Sequence, residues 1–163
     1  MAIGSCQMIP VCRMNHQGFT LIEVMVVVAI MGVLVAIATP SFLSYRERAR
    51  IAVAIVDMQN IERAIDIYRL DNNAYPDSLA DIGMDGLRDP WGNPYVYLRI
   101  DGADLSGNGQ LRKDHGNVPV NSDYDLYSNG ADGNSQTAFT AKASQDDVVR
   151  AYNGSYYGKV ADL

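Results

Sequence analysis

The amino-acid sequence predicts an α+β protein, in which one long N-terminal helix, half membrane-spanning and half amphipathic, packs on a small antiparallel sheet. Three observations lead there. Residues 19–38 form an apolar run with a single charge, Glu23. Residues 44–72 repeat apolar side chains at three- and four-residue steps. From residue 73 onward the chain is rich in Gly, Asn, Asp and Tyr, and every acid there is Asp. Asp favours turns and loops, whereas Glu favours helix interiors, and the three Glu residues (Glu23, Glu47, Glu62) all lie before that point.

Residues 1–18, MAIGSCQMIPVCRMNHQG, show no sustained pattern and read as a leader, with Met8 and Met14 as alternative starts. Cys6 and Cys12 both fall within it, at a spacing that fits no common metal or redox motif. The run Phe19–Ala38 is about 30 Å long as a helix, which matches a bilayer core. A secretory signal would have a shorter apolar region followed by its small-residue cleavage site. Here the small residue, Gly18, precedes the run.

Pro40 removes one helical hydrogen bond and tends to kink the helix, yet the helical pattern resumes beyond it. Ile51, Ala54, Ile55, Met58, Ile61, Ile65 and Tyr68 form one apolar stripe, and Gln59, Glu62, Arg63, Asp66 and Arg69 lie off it. This stripe should hold the domain that follows. Asp71-Asn72-Asn73 stops the helix, and Pro76–Asp81 predicts a short helix. DPWGNP (Asp89–Pro94) is dense turn punctuation. Tyr95–Ile100, Tyr124–Ser128 and Ala138–Ala141 are the expected strands. Asn108-Gly109, Asn129-Gly130 and Asn153-Gly154 suit tight turns with positive φ. The domains are therefore 1–18, a leader; 19–43, the apolar helix; and 44–163, a globular domain that includes the amphipathic half of the helix.

Several function classes are excluded. The sequence holds no G-x-S-x-G, H-E-x-x-H, phosphate loop or dinucleotide fingerprint, so an enzyme is not expected. His115 is the only histidine after the leader and has no Cys or Glu at ligand spacing. The net charge of −6 argues against nucleic acid. A second acidic loop, Asp101–Gly109, has His115 rather than Glu at the twelfth position from Asp104, and reads as a turn.

Glu23 is the residue to explain. A carboxylate costs about 2.5–3.5 kcal/mol at the centre of a membrane helix, and less near an end. Its plain reading is an acid tolerated near the interface. The surrounding residues Gly18-Phe19-Thr20-Leu21-Ile22-Glu23-Val24 resemble the processing motif of type IV pilins and type II secretion pseudopilins. Farther on, Tyr75-Pro76, then DPWGNPY (Asp89–Tyr95), then Asp125–Gly133 with its GADG element resemble, in order, the domain of the major type II secretion pseudopilins.

The resemblance implies a pilin-like fold and cleavage by prepilin peptidase between Gly18 and Phe19, with methylation of the new Phe19 amine. Glu23 becomes the assembly acid, pairing with the Phe19 amine of a neighbouring subunit in a homopolymer filament whose core is the 19–43 helix. It implies a bacterial inner-membrane protein, single-pass, with its globular domain in the periplasm. The filament would drive exoprotein export, working with minor pseudopilins, an inner-membrane assembly platform and a cytoplasmic ATPase. A surface type IV pilus subunit serving adhesion, motility or DNA uptake is the alternative, followed by a membrane-anchored calcium module that never polymerises. The leader carries only Arg13 and His16, whereas Arg46, Arg48 and Arg50 follow the span, so the charge count by itself favours the opposite orientation. The resemblance also implies one structural calcium, with Asp132 matching the first acidic ligand, Asp146 and Asp147 the later ones, and the Asn129 carbonyl a backbone ligand. Solvated turn aspartates are the plain alternative there. The tail 149–163 extends past the usual ending of the family.

Overall fold

The computed structural model describes residues 18–103, 105 and 109–163. Residues 1–17 of the expected leader, with Cys6, Cys12, Met8 and Met14, lie outside the described residues, as do Asp104 and Ser106–Asn108 of the second acidic loop. The chain divides into two compact units, Met1–Phe42 and Leu43–Leu163.

Helix α1 (Leu21–Asn72) contributes to both. In the first unit its apolar side chains point into open surroundings, with Leu21 77%, Val26 52% and Leu34 61% exposed. A stretch this apolar and this uncovered has the length and composition to cross a membrane.

The second unit carries the α+β architecture expected from the sequence. Four strands, β1 (Val96–Arg99), β2 (Tyr124–Ser128), β3 (Val148–Ala151) and β4 (Tyr156–Lys159), form one antiparallel sheet in the order β1-β2-β3-β4. The stripe of α1 packs on it as the periodicity requires. Ala54, Met58, Ile61 and Ile65 are fully buried against Tyr75, Leu79, Tyr95, Tyr124, Leu126 and Val148. Because strand side chains alternate, Val149 and Ala151 face the other way. There they close a second, smaller core with Val120, Phe139 and Val160. The sheet is thus covered on both faces.

Several expectations change. The short helix near Pro76 is a 3₁₀ turn at Leu79–Ile82. Ala138–Ala141 is not a strand. It contributes a single parallel bridge, Lys113↔Ala138, and the chain then turns, with the Ala141 N–H donating to the Ala138 carbonyl. The strands at β3 and β4 were not expected. They are made by the tail, through a tight hairpin in which Asn153 (φ 57°) and Gly154 (φ 85°) both adopt the left-handed conformation.

One buried cation ties these elements together. Arg150 on β3 is 4% exposed. Its Nε donates to Glu62 Oε1 on α1 at 3.0 Å, and Nη1 and Nη2 donate to the two carboxylate oxygens of Asp123 at 3.0 and 2.7 Å. Its guanidinium also lies 4.2 Å from the Tyr124 ring centre. Tyr157 on β4 donates its hydroxyl to the other oxygen of Glu62. Burial works against the charge, but the Asp123 and Glu62 carboxylates outweigh it and hold the guanidinium firmly protonated. Glu62, placed off the apolar stripe by its spacing, is therefore half-buried and paired.

Arg150→Met keeps much of the stem but strands Glu62 and Asp123. Breaking a buried pair from one side costs about 3–5 kcal/mol. Urea unfolding of the full protein in detergent should show a loss of that order, with a smaller loss for Glu62→Gln.

Candidate functional site

Two regions carry the candidate residues, one in each unit.

At the N-terminal end, Gly18, Phe19 and Thr20 precede the first helical residue. Phe19 is 85% exposed. Glu23 is held by its own helix start. The Thr20 N–H and hydroxyl both donate to Glu23 Oε2 at 2.8 Å, and the Glu23 N–H donates back to Thr20 Oγ1 at 3.3 Å. This is a capping box, in which a hydroxyl residue and an acid three positions later satisfy the unpaired amides of the first turn. The Thr-x-x-Glu spacing was legible in the sequence and adds a local role for Glu23. Phe19 and Glu23 share one exposed apolar face with Ile22, Val26 and Val27.

In the globular unit, the DPWGNP and SNGADG stretches meet. Asp89 is 4% exposed, and its Oδ1 accepts the Trp91 and Asn93 amides at 3.0 and 2.8 Å. Its Oδ2 accepts the Ser128 hydroxyl at 2.5 Å, and Ser128 Oγ in turn accepts the Gly130 N–H at 3.1 Å. The Asn93 amide closes the lock by donating to the Gly130 carbonyl at 2.9 Å. Asn93 and Ser128 were not singled out from sequence, because their partners lie 37 and 39 residues away.

The four residues expected to bind calcium fall in and beside this lock. The Asp132 N–H donates to Asp146 Oδ2 at 3.0 Å. Asp132 Oδ1 accepts the Asn134 amide at 2.7 Å. Asp147 is fully buried and turns instead to Arg112, whose Nη2 donates to its Oδ2 at 2.8 Å, and the Ser135 hydroxyl donates to the same oxygen. Burial raises the Asp147 carboxyl above its ordinary range against the pull of Arg112 and Ser135. Among the described residues no three His, Cys, Asp or Glu side chains converge into a metal cluster. The donor set is still one of hard oxygens. Asn129 Oδ1 and Asp147 Oδ1 are buried acceptors that no donor reaches. Such oxygens match the preference of calcium for carboxylates and amide carbonyls in a loop.

His115 stands on the surface with its side chain 82% exposed and its Nδ1 2.7 Å from Asp114 Oδ1.

Comparison with known proteins gives two family matches. Residues 13–39 match a prokaryotic N-terminal methylation motif, and residues 41–87 match type II secretion system (T2SS), protein G. The chain is 35% identical to type II secretion system core protein G of Pseudomonas aeruginosa over 142 residues, covering 74% of this chain and 87% of the relative. It is 38% identical to the core protein G of Vibrio cholerae over 109 residues (53% of this chain, 73% of the relative). The corresponding Escherichia coli protein is 35% identical over 105 residues (52% and 72%). No solved structure matches.

Gly130 (φ 64°) sits at the tightest point of the lock, where an added Cβ would lie 2.4 Å from the Asp146 carbonyl oxygen. Gly130→Ala combines a backbone clash with a left-handed φ. It should lower stability by about 2–4 kcal/mol, read as a reduced urea midpoint; an unchanged midpoint would mean that the Gly130–Asp146 approach is loose.

Proposed function

This chain belongs to the type II secretion core protein G family, the major pseudopilins, and from that premise we propose that it is the building subunit of a periplasmic pseudopilus. The family is a structural one, and the chain is not an enzyme. An apolar helix behind a methylation motif makes it a membrane-anchored component of the secretion apparatus.

The finer steps are proposals. Prepilin peptidase cuts between Gly18 and Phe19 and the Phe19 amine is methylated. The subunit waits in the inner membrane with the domain of residues 44–163 in the periplasm, then joins a homopolymer whose growth drives exoproteins outward. Minor pseudopilins, an inner-membrane platform and a cytoplasmic ATPase complete the machine.

The observation that carries this reading is Glu23, the one charge of residues 19–38, beside an exposed Phe19 at the very start of α1. In an apolar array, each Glu23 carboxylate and each Phe19 ammonium is costly unless paired with the other. Such a pair adds little net stability but strong register, because a misplaced subunit leaves both charges unpaired. Repeated head-to-tail contacts whose rotation does not close build open helical filaments. Calcium is proposed for the oxygens of Asn129, Asp132, Asp146 and Asp147. When bound, it would neutralise these carboxylates and fasten the loop, and the donor-free buried oxygens of Asn129 and Asp147 support it.

Glu23→Gln separates the assembly role from the capping role, since glutamine also completes a capping box. The variant should be inserted and processed normally but yield roughly tenfold less filament; wild-type yield would overturn the pairing. Deleting the gene should trap secreted enzymes in the periplasm, and a plasmid copy should release them; normal secretion would overturn the pseudopilus reading. For the metal, calcium at a hundredfold excess over its Kd adds about 2.7 kcal/mol, a rise in Tm on the order of 5–10 °C. The full protein in detergent should melt higher in calcium than in chelator, and Asp132→Asn should abolish the difference.

A further inference from the structure

Arg112 is an unexpected residue to find inside the domain. It lies between β1 and β2, where the chain is otherwise turn-forming, and is 3% exposed. One guanidinium reaches both ends of the acidic loop. Nη1 donates to Ser135 Oγ at 2.5 Å and to the Gln136 carbonyl at 2.8 Å, near the loop's start. Nη2 donates to Asp147 Oδ2 at 2.8 Å, at its end. Two aromatic rings lie close to the guanidinium. The guanidinium carbon lies 4.1 Å from the Tyr127 ring centre and 5.0 Å from that of Phe139. The Arg112 backbone is pinned as well, its N–H donating to Asp125 Oδ2 at 3.3 Å and its carbonyl accepting the Val120 N–H at 3.1 Å.

A loop-bound metal would do the same physical work. It would gather oxygens from distant points of the loop around one positive charge and cancel a buried carboxylate. An arginine fork can do this with directional donors and a charge that never titrates away. Here the cation is covalently part of the chain, so its local concentration does not depend on the medium. It uses only Asp147 Oδ2, while Asp147 Oδ1 and Arg112 Nε stay without partners.

We propose that Arg112 is a built-in counter-cation that holds the 133–147 loop closed without a metal, so that calcium tightens the loop rather than creating it. The second clause rests on the calcium reading above, and the first does not.

Lys142 lies within the loop, so tryptic cleavage after it reports opening and releases residues 143–163. The test uses the full protein in detergent. In chelator, the wild type should resist cleavage at Lys142, and Arg112→Met, which keeps an apolar stem between the two rings, should be cut roughly tenfold faster or more. Asp147→Asn should be cut faster in the same way, and adding calcium should slow cleavage of Arg112→Met. Equal protection of Arg112→Met and wild type in chelator would overturn the proposal. Amide hydrogen exchange of the wild type in chelator gives the answer without any variant. Protected amides at Gln136, Phe139 and Ser144 support the proposal, and unprotected ones overturn it. If calcium changes neither Tm nor cleavage of the wild type while Arg112→Met opens, the calcium reading fails and the Arg112 proposal stands.

Discussion

The packing of α1 on the sheet in the globular unit depends on the buried guanidinium of Arg150. A charge taken out of water must find acceptors in every direction its fork points. Those acceptors come from α1 through Glu62 and from the approach to β2 through Asp123, while Tyr157 on β4 donates to the other oxygen of Glu62 and holds it in place. Hydrophobic packing of Met58, Ile61 and Ile65 is non-directional. The Arg150 fork adds direction, because a shift of the helix would leave a buried ion unpaired. The tail 149–163 thereby has a structural role, since it supplies both the guanidinium and the tyrosine.

The same logic recurs around the two turn motifs. Asp89 and Ser128 bring DPWGNP against SNGADG, and Asn93 and Gly130 close the contact. The two turn motifs are one physical object, a polar lock whose carboxylate is satisfied from three directions. Beside it Arg112 satisfies Asp147. The acidic character of this unit is therefore partly internal. Asp89, Asp125 and Asp147 are all nearly or fully buried; Asp89 and Asp147 are held by donors from distant parts of the chain, and Asp125 by the nearby Asn121 amide and the Arg112 N–H.

At the other end of the chain, Glu23 serves two demands. Locally it completes the capping box with Thr20, satisfying amides that an apolar environment would leave bare. In the proposed assembly it gives each subunit one address in an otherwise uniform greasy surface. A residue with both jobs explains why an acid stands at this position in a membrane-length run: the helix start needs an acceptor, and the array needs a register.

The sequence by itself determined what depends on neighbours in the chain. The apolar run 19–38, the stripe from Ile51 to Ile65, the strand at Tyr124–Ser128 and the left-handed turns at Gly130 and Asn153-Gly154 all follow from periodicity or local backbone chemistry. The Thr20–Glu23 box was within reach of the same reasoning. Only the tertiary structure decided β3, β4 and the partners of the buried charges. All four residues of β3 are buried, so VVRA carries no alternation to betray a strand. Arg150 and Arg112 look like surface cations in the sequence because the acids that hold them are between 27 and 88 residues away. Asp146 and Asp147 look alike in sequence, yet one meets the Asp132 amide and the other an arginine, because adjacent side chains leave the backbone in different directions. That divergence is set by the packing of the sheet, which no local pattern encodes.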